Sequence, residues 1–201
     1  MFWDNVAWVY DIFANVINRK ANRQLCATVE QFISPTDEVL ECACGTGLLS
    51  EGIARRCKSL IATDFSAKML RQAERKCRKY RNITWEQADI LQLRFPDECF
   101  DVVAAANVIH LLEDPYKALQ ELDRVCKKGG RMIIPTYMSG TDRGTTNGVS
   151  SAIGKVGADF KREFTLKSYQ QFLTAAGYPH AEYTLCQGRI PCAVALLKKQ
   201  K

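Results

Sequence analysis

The spacing of apolar positions changes several times along the chain, and each change marks an element. Trp3, Val6, Ala7, Tyr10, Phe13, Ala14 and Ile17 recur at helical spacing and predict an amphipathic N-terminal helix with a heavy aromatic load. A second helix follows over residues 19–32 and is stopped by Ser34-Pro35-Thr36. From residue 38 onward, short apolar runs alternate with helical stripes. The runs predict strands at 38–42, 59–63 (ending at Asp64), 82–87, 100–106 and 132–137. The run at 100–106 is nearly all apolar, as a strand buried on both faces of a parallel sheet requires. Between these runs lie helices at 46–57, from the cap Ser66 with Met69, Leu70, Ala73 and Cys77 inward, and from Asp114-Pro115 with Ala118, Leu119, Leu122, Val125 and Cys126 inward. Gly129-Gly130 reads as the stop of that last helix. Residues 165–176 return to helix and end at Gly177; strands at 181–187 and 192–197, joined by a short link, read as an antiparallel hairpin.

Strands that alternate with helices five times, closed by a hairpin, predict one doubly wound, Rossmann-like α/β domain. Its sheet has seven strands, mostly parallel with an antiparallel last strand, and helices on both faces. Ligands bind such sheets at the carboxyl ends of the strands, where the strand order reverses. Residues 1–34 are expected to form a helical lid or cap. Residues 138–164, rich in Gly, Ser and Thr, are expected to form a flexible insertion on the substrate side.

Composition narrows the function. The formal net charge of +6 is too small for a dedicated nucleic-acid binder, and no nucleic-acid partner is expected. Most of the excess lies at 71–81 and 198–201, where it reads as solvated helix face and polar tail. The nine cysteines are odd in number, show no C-x-x-C spacing and signal no metal site. Cys42 and Cys44 read as small core residues, and the set fits a reducing cytoplasm. The first ten residues carry no basic leader, and no apolar run approaches the ~20 residues that cross a bilayer.

The chemistry concentrates in residues 39–49, a strand, a turn of small residues and a helix start. Ala43, Gly45 and Gly47 let a ligand approach the backbone, and the helix start offers unpaired N–H groups to a nucleotide-like molecule. The pattern is acid-x-small-x-Gly-x-Gly; Ser50 stands where a dinucleotide fingerprint places its third glycine.

With Leu40-Glu41-Cys42-Ala43-Cys44-Gly45-Thr46-Gly47, Ala62-Thr63-Asp64-Phe65-Ser66, Met69-Leu70, Ala88-Asp89-Ile90, Phe100-Asp101-Val102-Val103, Asn107-Val108-Ile109-His110-Leu111 and Lys128-Gly129-Gly130-Arg131 in that order, the chain resembles the class I S-adenosylmethionine-dependent methyltransferases, in particular the small UbiE/menaquinone-type branch. The resemblance spans nearly the whole chain and implies S-adenosyl-L-methionine as cofactor. It implies that Glu41 accepts a hydrogen bond from the methionyl ammonium and that the backbone of Ala43, Gly45 and Gly47 lies against the methionyl and ribose part. Asp64 would hold the ribose hydroxyls, Phe65 and Met69 would flank the adenine, and Asp89 with the Ile90 amide would meet its amino group. Asn107 would offer its backbone carbonyl to the ammonium, and Tyr10 would close over the cofactor. One departure is Ala43, where the family usually has glycine.

The expected activity is methyl transfer to a small-molecule acceptor by in-line displacement, with no metal and no covalent nucleophile. His110 is the candidate general base for an acceptor that must lose a proton. Tyr137, Arg143 and Lys155 are candidates for the acceptor side. The rival readings are a non-catalytic S-adenosylmethionine-binding module, a nucleic-acid methyltransferase, which usually shows Asn/Asp-Pro-Pro-aromatic after strand four, and a thiol methyltransferase. The acceptor atom and the oligomeric state stay open.

Overall fold

A computed structural model of the chain describes residues 18–139 and 161–200. The expected N-terminal helix with Tyr10, and Arg143 and Lys155 of the expected insertion, lie outside the described residues.

Seven strands form one sheet: β1 (Glu38–Cys42), β2 (Ser59–Asp64), β3 (Ile83–Gln87), β4 (Phe100–Ala105), β5 (Cys126–Tyr137), β6 (Glu182–Cys186) and β7 (Cys192–Lys198). Their order is β3-β2-β1-β4-β5-β7-β6. The first five pair in parallel, and β7 runs antiparallel to both β5 and β6. The helices are α1 (Arg19–Gln31), α2 (Ser50–Arg56), α3 (Ala67–Cys77), α4 (Pro115–Val125) and α5 (Leu166–Ala175).

The period-two alternation of strands divides the core in two. Val39, Leu60, Ala62, Val102, Ala104 and Ile133 face one side and pack against Leu25 and Val29 of α1, Ile53 of α2 and Ala73 of α3. Leu40, Cys42, Val103, Ala105, Met132 and Ile134 face the other side with Leu119 and Leu122 of α4 and Tyr169, Phe172 and Leu173 of α5. Tyr169 is fully buried, and its hydroxyl donates to the Ile134 carbonyl at 2.7 Å. Helices therefore cover both faces, as the alternation predicts. Local signals agree: Asp114 caps α4 with Pro115 at its first position, and Thr165 and Ser168 cap α5 reciprocally.

Three differences from the sequence reading have physical causes. The first crossover helix starts at Ser50 and not at residue 46, because Gly45 (φ 56°) and Gly47 (φ 79°) are in the left-handed region. Gly129-Gly130 does not end a helix. It lies inside β5, where the pairing with β4 slips from Phe100↔Cys126 to Val102↔Arg131. Gly129 has φ 71°, and a side chain on Gly130 would meet the Lys127 carbonyl at 2.7 Å; this is a bulge with glycines where only glycine fits. Finally, no helix joins β3 to β4; the chain crosses there through turns, and the described strands alternate with helices less regularly than expected.

β2 and β4 flank β1, so the chain reverses direction across the sheet between β1 and β4. That switch point leaves a crevice at the carboxyl ends of the strands.

Candidate active site

A cavity of about 270 Å³ occupies this crevice. The turn after β1 contributes Ala43 and Gly45; β2 and the start of α3 contribute Asp64, Phe65 and Met69. The loop after β3 contributes Ala88, Asp89 and Ile90, and the loop after β4 contributes Ala106, Asn107, Val108, Leu111 and Leu112.

Asp64 organises the site. One carboxylate oxygen accepts the Gly45 N–H and the other accepts the Ser66 N–H, both at 2.8 Å. The side chain thus ties the β1 turn to the start of α3. Ser66 caps α3 by accepting the Met69 N–H at 3.2 Å. Met69 is buried, whereas the Phe65 ring is half exposed at the cavity mouth. The exposed Asp89 carboxylate accepts the Leu91 N–H at 2.9 Å, which holds the loop that carries Ile90.

Three small residues meet different demands. Ala43 takes φ 53°, a conformation that suits glycine and costs an alanine about 1–2 kcal/mol. A side chain on Gly45 would meet no protein atom within 4 Å, so the space above it belongs to the cavity. Gly47 does not line the cavity; a Cβ there would press on Ala73 at 3.2 Å, so this glycine serves the packing of the turn on α3.

Glu41 lies below the turn, 2% exposed and outside the cavity lining. It accepts the Ser50 hydroxyl at 2.6 Å. Burial pushes its pKa up to about 8, the Ser50 bond opposes that, and the Asp64 charge adds to it. A buried carboxyl with one hydroxyl partner suits a cation nearby, and the ammonium of S-adenosylmethionine is such a cation. Asn107 ends the strand-four segment at φ 54°, donating its N–H to the Pro135 carbonyl at 2.8 Å. Its side-chain oxygen accepts from the Cys192 thiol at 3.7 Å, and its Nδ2 is buried with no partner among the described residues. The Asp64 and Asp89 carboxylates on an otherwise mostly apolar slot fit a cationic nucleoside.

His110, the candidate general base, is placed beside the cavity wall. The ring is 3% exposed beside Tyr137, with centroids 6.0 Å apart, and does not line the cavity. Burial, with Arg162 nearby, pulls its pKa down to about 3. The described cysteines are poor nucleophiles: burial pushes Cys42 up to about 12, and none of the nine lines the cavity. Among the described residues, no cluster of three metal-ligating side chains occurs.

Sequence reasoning missed Ser50 as the partner of Glu41, the Cys192 contact to Asn107, and Ala88, Ala106, Val108, Leu111 and Leu112 as cavity lining. The lining residues follow β3 and β4 directly, so the rule about carboxyl ends of strands already pointed to them. The Cys192 contact joins residues 85 apart and left no local signal.

Comparison with known proteins agrees with this geometry. Residues 40–134 match a methyltransferase-domain family. The chain is 39% identical over 136 residues to a demethylmenaquinone methyltransferase of Thermobifida fusca, covering 66% of this chain and 58% of the relative. It is 40% identical over 101 residues to the ubiquinone/menaquinone biosynthesis C-methyltransferase UbiE of Bdellovibrio bacteriovorus, covering 49% of this chain and 43% of the relative. The chain spans about half the length of these curated relatives. The fold matches a crystal structure from Thermotoga maritima, described as an S-adenosylmethionine-dependent methyltransferase and possible histamine N-methyltransferase, with a TM-score of 0.79, 19% identity and 99% coverage of both chains. Sheet order, motif series and these relatives together place the chain among the class I S-adenosylmethionine-dependent methyltransferases of the UbiE type.

Proposed function

We propose that this chain transfers the methyl group of S-adenosylmethionine to a small-molecule acceptor by in-line displacement. The observation that carries the reading is Asp64, fixed by two backbone amides at the rim of an apolar slot, with the buried Glu41 carboxyl beneath the adjoining turn. S-adenosylmethionine, when bound, supplies a sulfonium methyl group that leaves readily to an electron pair.

The chain's own residues bind and align. Asp64, held in place by the Gly45 and Ser66 amides, accepts hydrogen bonds from the ribose hydroxyls. Phe65 and Met69 flank the adenine, and Asp89 and the Ile90 amide meet its polar edge. The Gly45 backbone borders the ligand, the carbonyl of Asn107 supplies an acceptor, and the buried Glu41 carboxyl lies beneath the turn, where the ligand's cation would favour its ionised form. Ala106, Val108, Leu111 and Leu112 exclude water from the reacting end. Alignment and drying of two reactants supply on the order of 7–11 kcal/mol of a displacement barrier, and His110 is the candidate base for an acceptor that must lose a proton. Tyr10, outside the described residues, closes over the cofactor, residues 1–34 serve as the cap, and 138–164 border the acceptor.

Calorimetric titration of S-adenosylmethionine and S-adenosylhomocysteine into wild type, Gly45→Arg and Asp64→Ala tests the assignment. Both variants should lose at least tenfold in affinity; wild-type affinity in both would mean the site is misassigned. A screen of phenol, thiol, amine and quinol acceptors then identifies the acceptor atom.

A further inference from the structure

The charge of the chain is concentrated in one segment, α3 and the turn that follows it. Residues 67–81 carry seven cations and one anion, a net of +6, which equals the net charge of the whole chain. The remaining residues balance at 21 of each sign.

α3 buries Met69, Leu70, Ala73 and Cys77 and turns Lys68, Arg71 and Arg75 outward, and the exposed Arg78 follows as its C-cap. All seven cations of the segment are exposed, and only Lys79 is in an ion pair among the described residues, with Glu51 at 2.8 Å. Arg71 and Arg75 are like charges four residues apart, which repel each other on a helix. An ordinary solvated helix face intersperses acids with bases; here Glu74 is the single acid.

We infer that this face docks the protein on an anionic lipid bilayer. The helix is about 16 Å long at 1.5 Å per residue. It presents long, flexible cations with no pocket shaped around one phosphate, which matches the diffuse field of an anionic headgroup layer. The half-exposed Phe65 ring stands just before the N-terminus of this helix, and basic side chains beside an exposed aromatic are the pairing that interfacial helices use. Single-stranded nucleic acid fits less well, because it needs free aromatic rings interleaved with the cations. The one aromatic in the segment, Tyr80, bonds Glu51 through its hydroxyl and lies 5.1 Å beneath the Lys79 ammonium. Docking by this face sets the cavity mouth, which Phe65 borders, close to the headgroups. This inference stands whether or not the methyl-transfer reading holds.

Co-sedimentation of the full chain with vesicles tests it, using phosphatidylcholine alone and phosphatidylcholine with about one third phosphatidylglycerol, at about 0.1 M salt. Wild type should bind the anionic vesicles only. The Lys68→Gln/Arg71→Gln/Arg75→Gln variant should bind on the order of 10²-fold more weakly, roughly fivefold for each cation removed. Lys117→Gln/Lys167→Gln/Lys198→Gln removes the same charge elsewhere and should bind as wild type does. The substituted side chains are all exposed, and matching thermal melts verify folding. Absence of wild-type binding to anionic vesicles, equal losses in the two variants, or tight binding to an oligonucleotide in place of vesicles would overturn the inference.

Discussion

Gly45→Ala and Ala43→Gly change one methyl group each, in opposite directions, within a single turn. Both positions are left-handed, at φ 56° and 53°. An L-residue with a Cβ costs about 1–2 kcal/mol there, and the lower freedom of an unfolded alanine returns about 0.4–1 kcal/mol. Gly45→Ala should therefore destabilise by about 1 kcal/mol, and Ala43→Gly should stabilise by about the same. At this chain length each kcal/mol moves Tm by about 2–4 °C. Among the described residues beyond its chain neighbours, the methyl group added at Gly45 meets no atom within 4 Å, so no clash with them adds to the stability loss. It does enter the cavity, and S-adenosylhomocysteine affinity should fall about tenfold or more, at about 1.4 kcal/mol per decade. Thermal melts with and without ligand, together with calorimetry, separate the two effects. A lower Tm for Ala43→Gly would refute the strain argument, and full affinity in Gly45→Ala would show that the turn does not border the ligand.

Glu41 titrates near pH 8 when folded and near 4.5 unfolded, so the folded protein holds the extra proton between those values. Its contribution is complete below about pH 4.5 and is lost as pH rises through about 8; melts of unliganded wild type should show that decline, and Glu41→Gln should flatten it. With an acceptor that must lose a proton, His110→Phe should lower kcat/KM by about 10²–10⁴-fold, the worth of a general base; a change within about threefold in steady-state kinetics would remove His110 from catalysis. Arg162 donates to the carbonyls of Leu112 at 2.6 Å, Ile109 at 3.3 Å and Glu113 at 3.4 Å, so it holds the wall that carries Leu111 and Leu112. Arg162→Ala should weaken S-adenosylhomocysteine binding about tenfold, whereas Arg124→Ala, which loses bonds to Leu93, Phe95, Asp97 and Glu121 away from the cavity, should lower stability by about 1.5–3 kcal/mol at unchanged affinity.

Residue order alone determined the seven strands, the covering helices and the place of the crevice. Apolar spacing, the Asp114-Pro115 cap and the small residues at 43–47 are local properties, and local backbone sterics decide them. Tertiary structure decided what each small or polar residue does. Gly47 is a packing glycine because Ala73 of α3 stands over it, and Gly129-Gly130 form a bulge because β4 slips against β5. Asp64 becomes a clamp because a residue 19 positions earlier offers its amide, and Ser50 finds Glu41 across the turn. His110 reads as a base in a string of letters, yet its basicity depends on how much water reaches the ring, and packing from distant segments removes that water. Periodicity encodes which way a side chain faces its own element, whereas desolvation and hydrogen-bond partners arise only when separate elements meet.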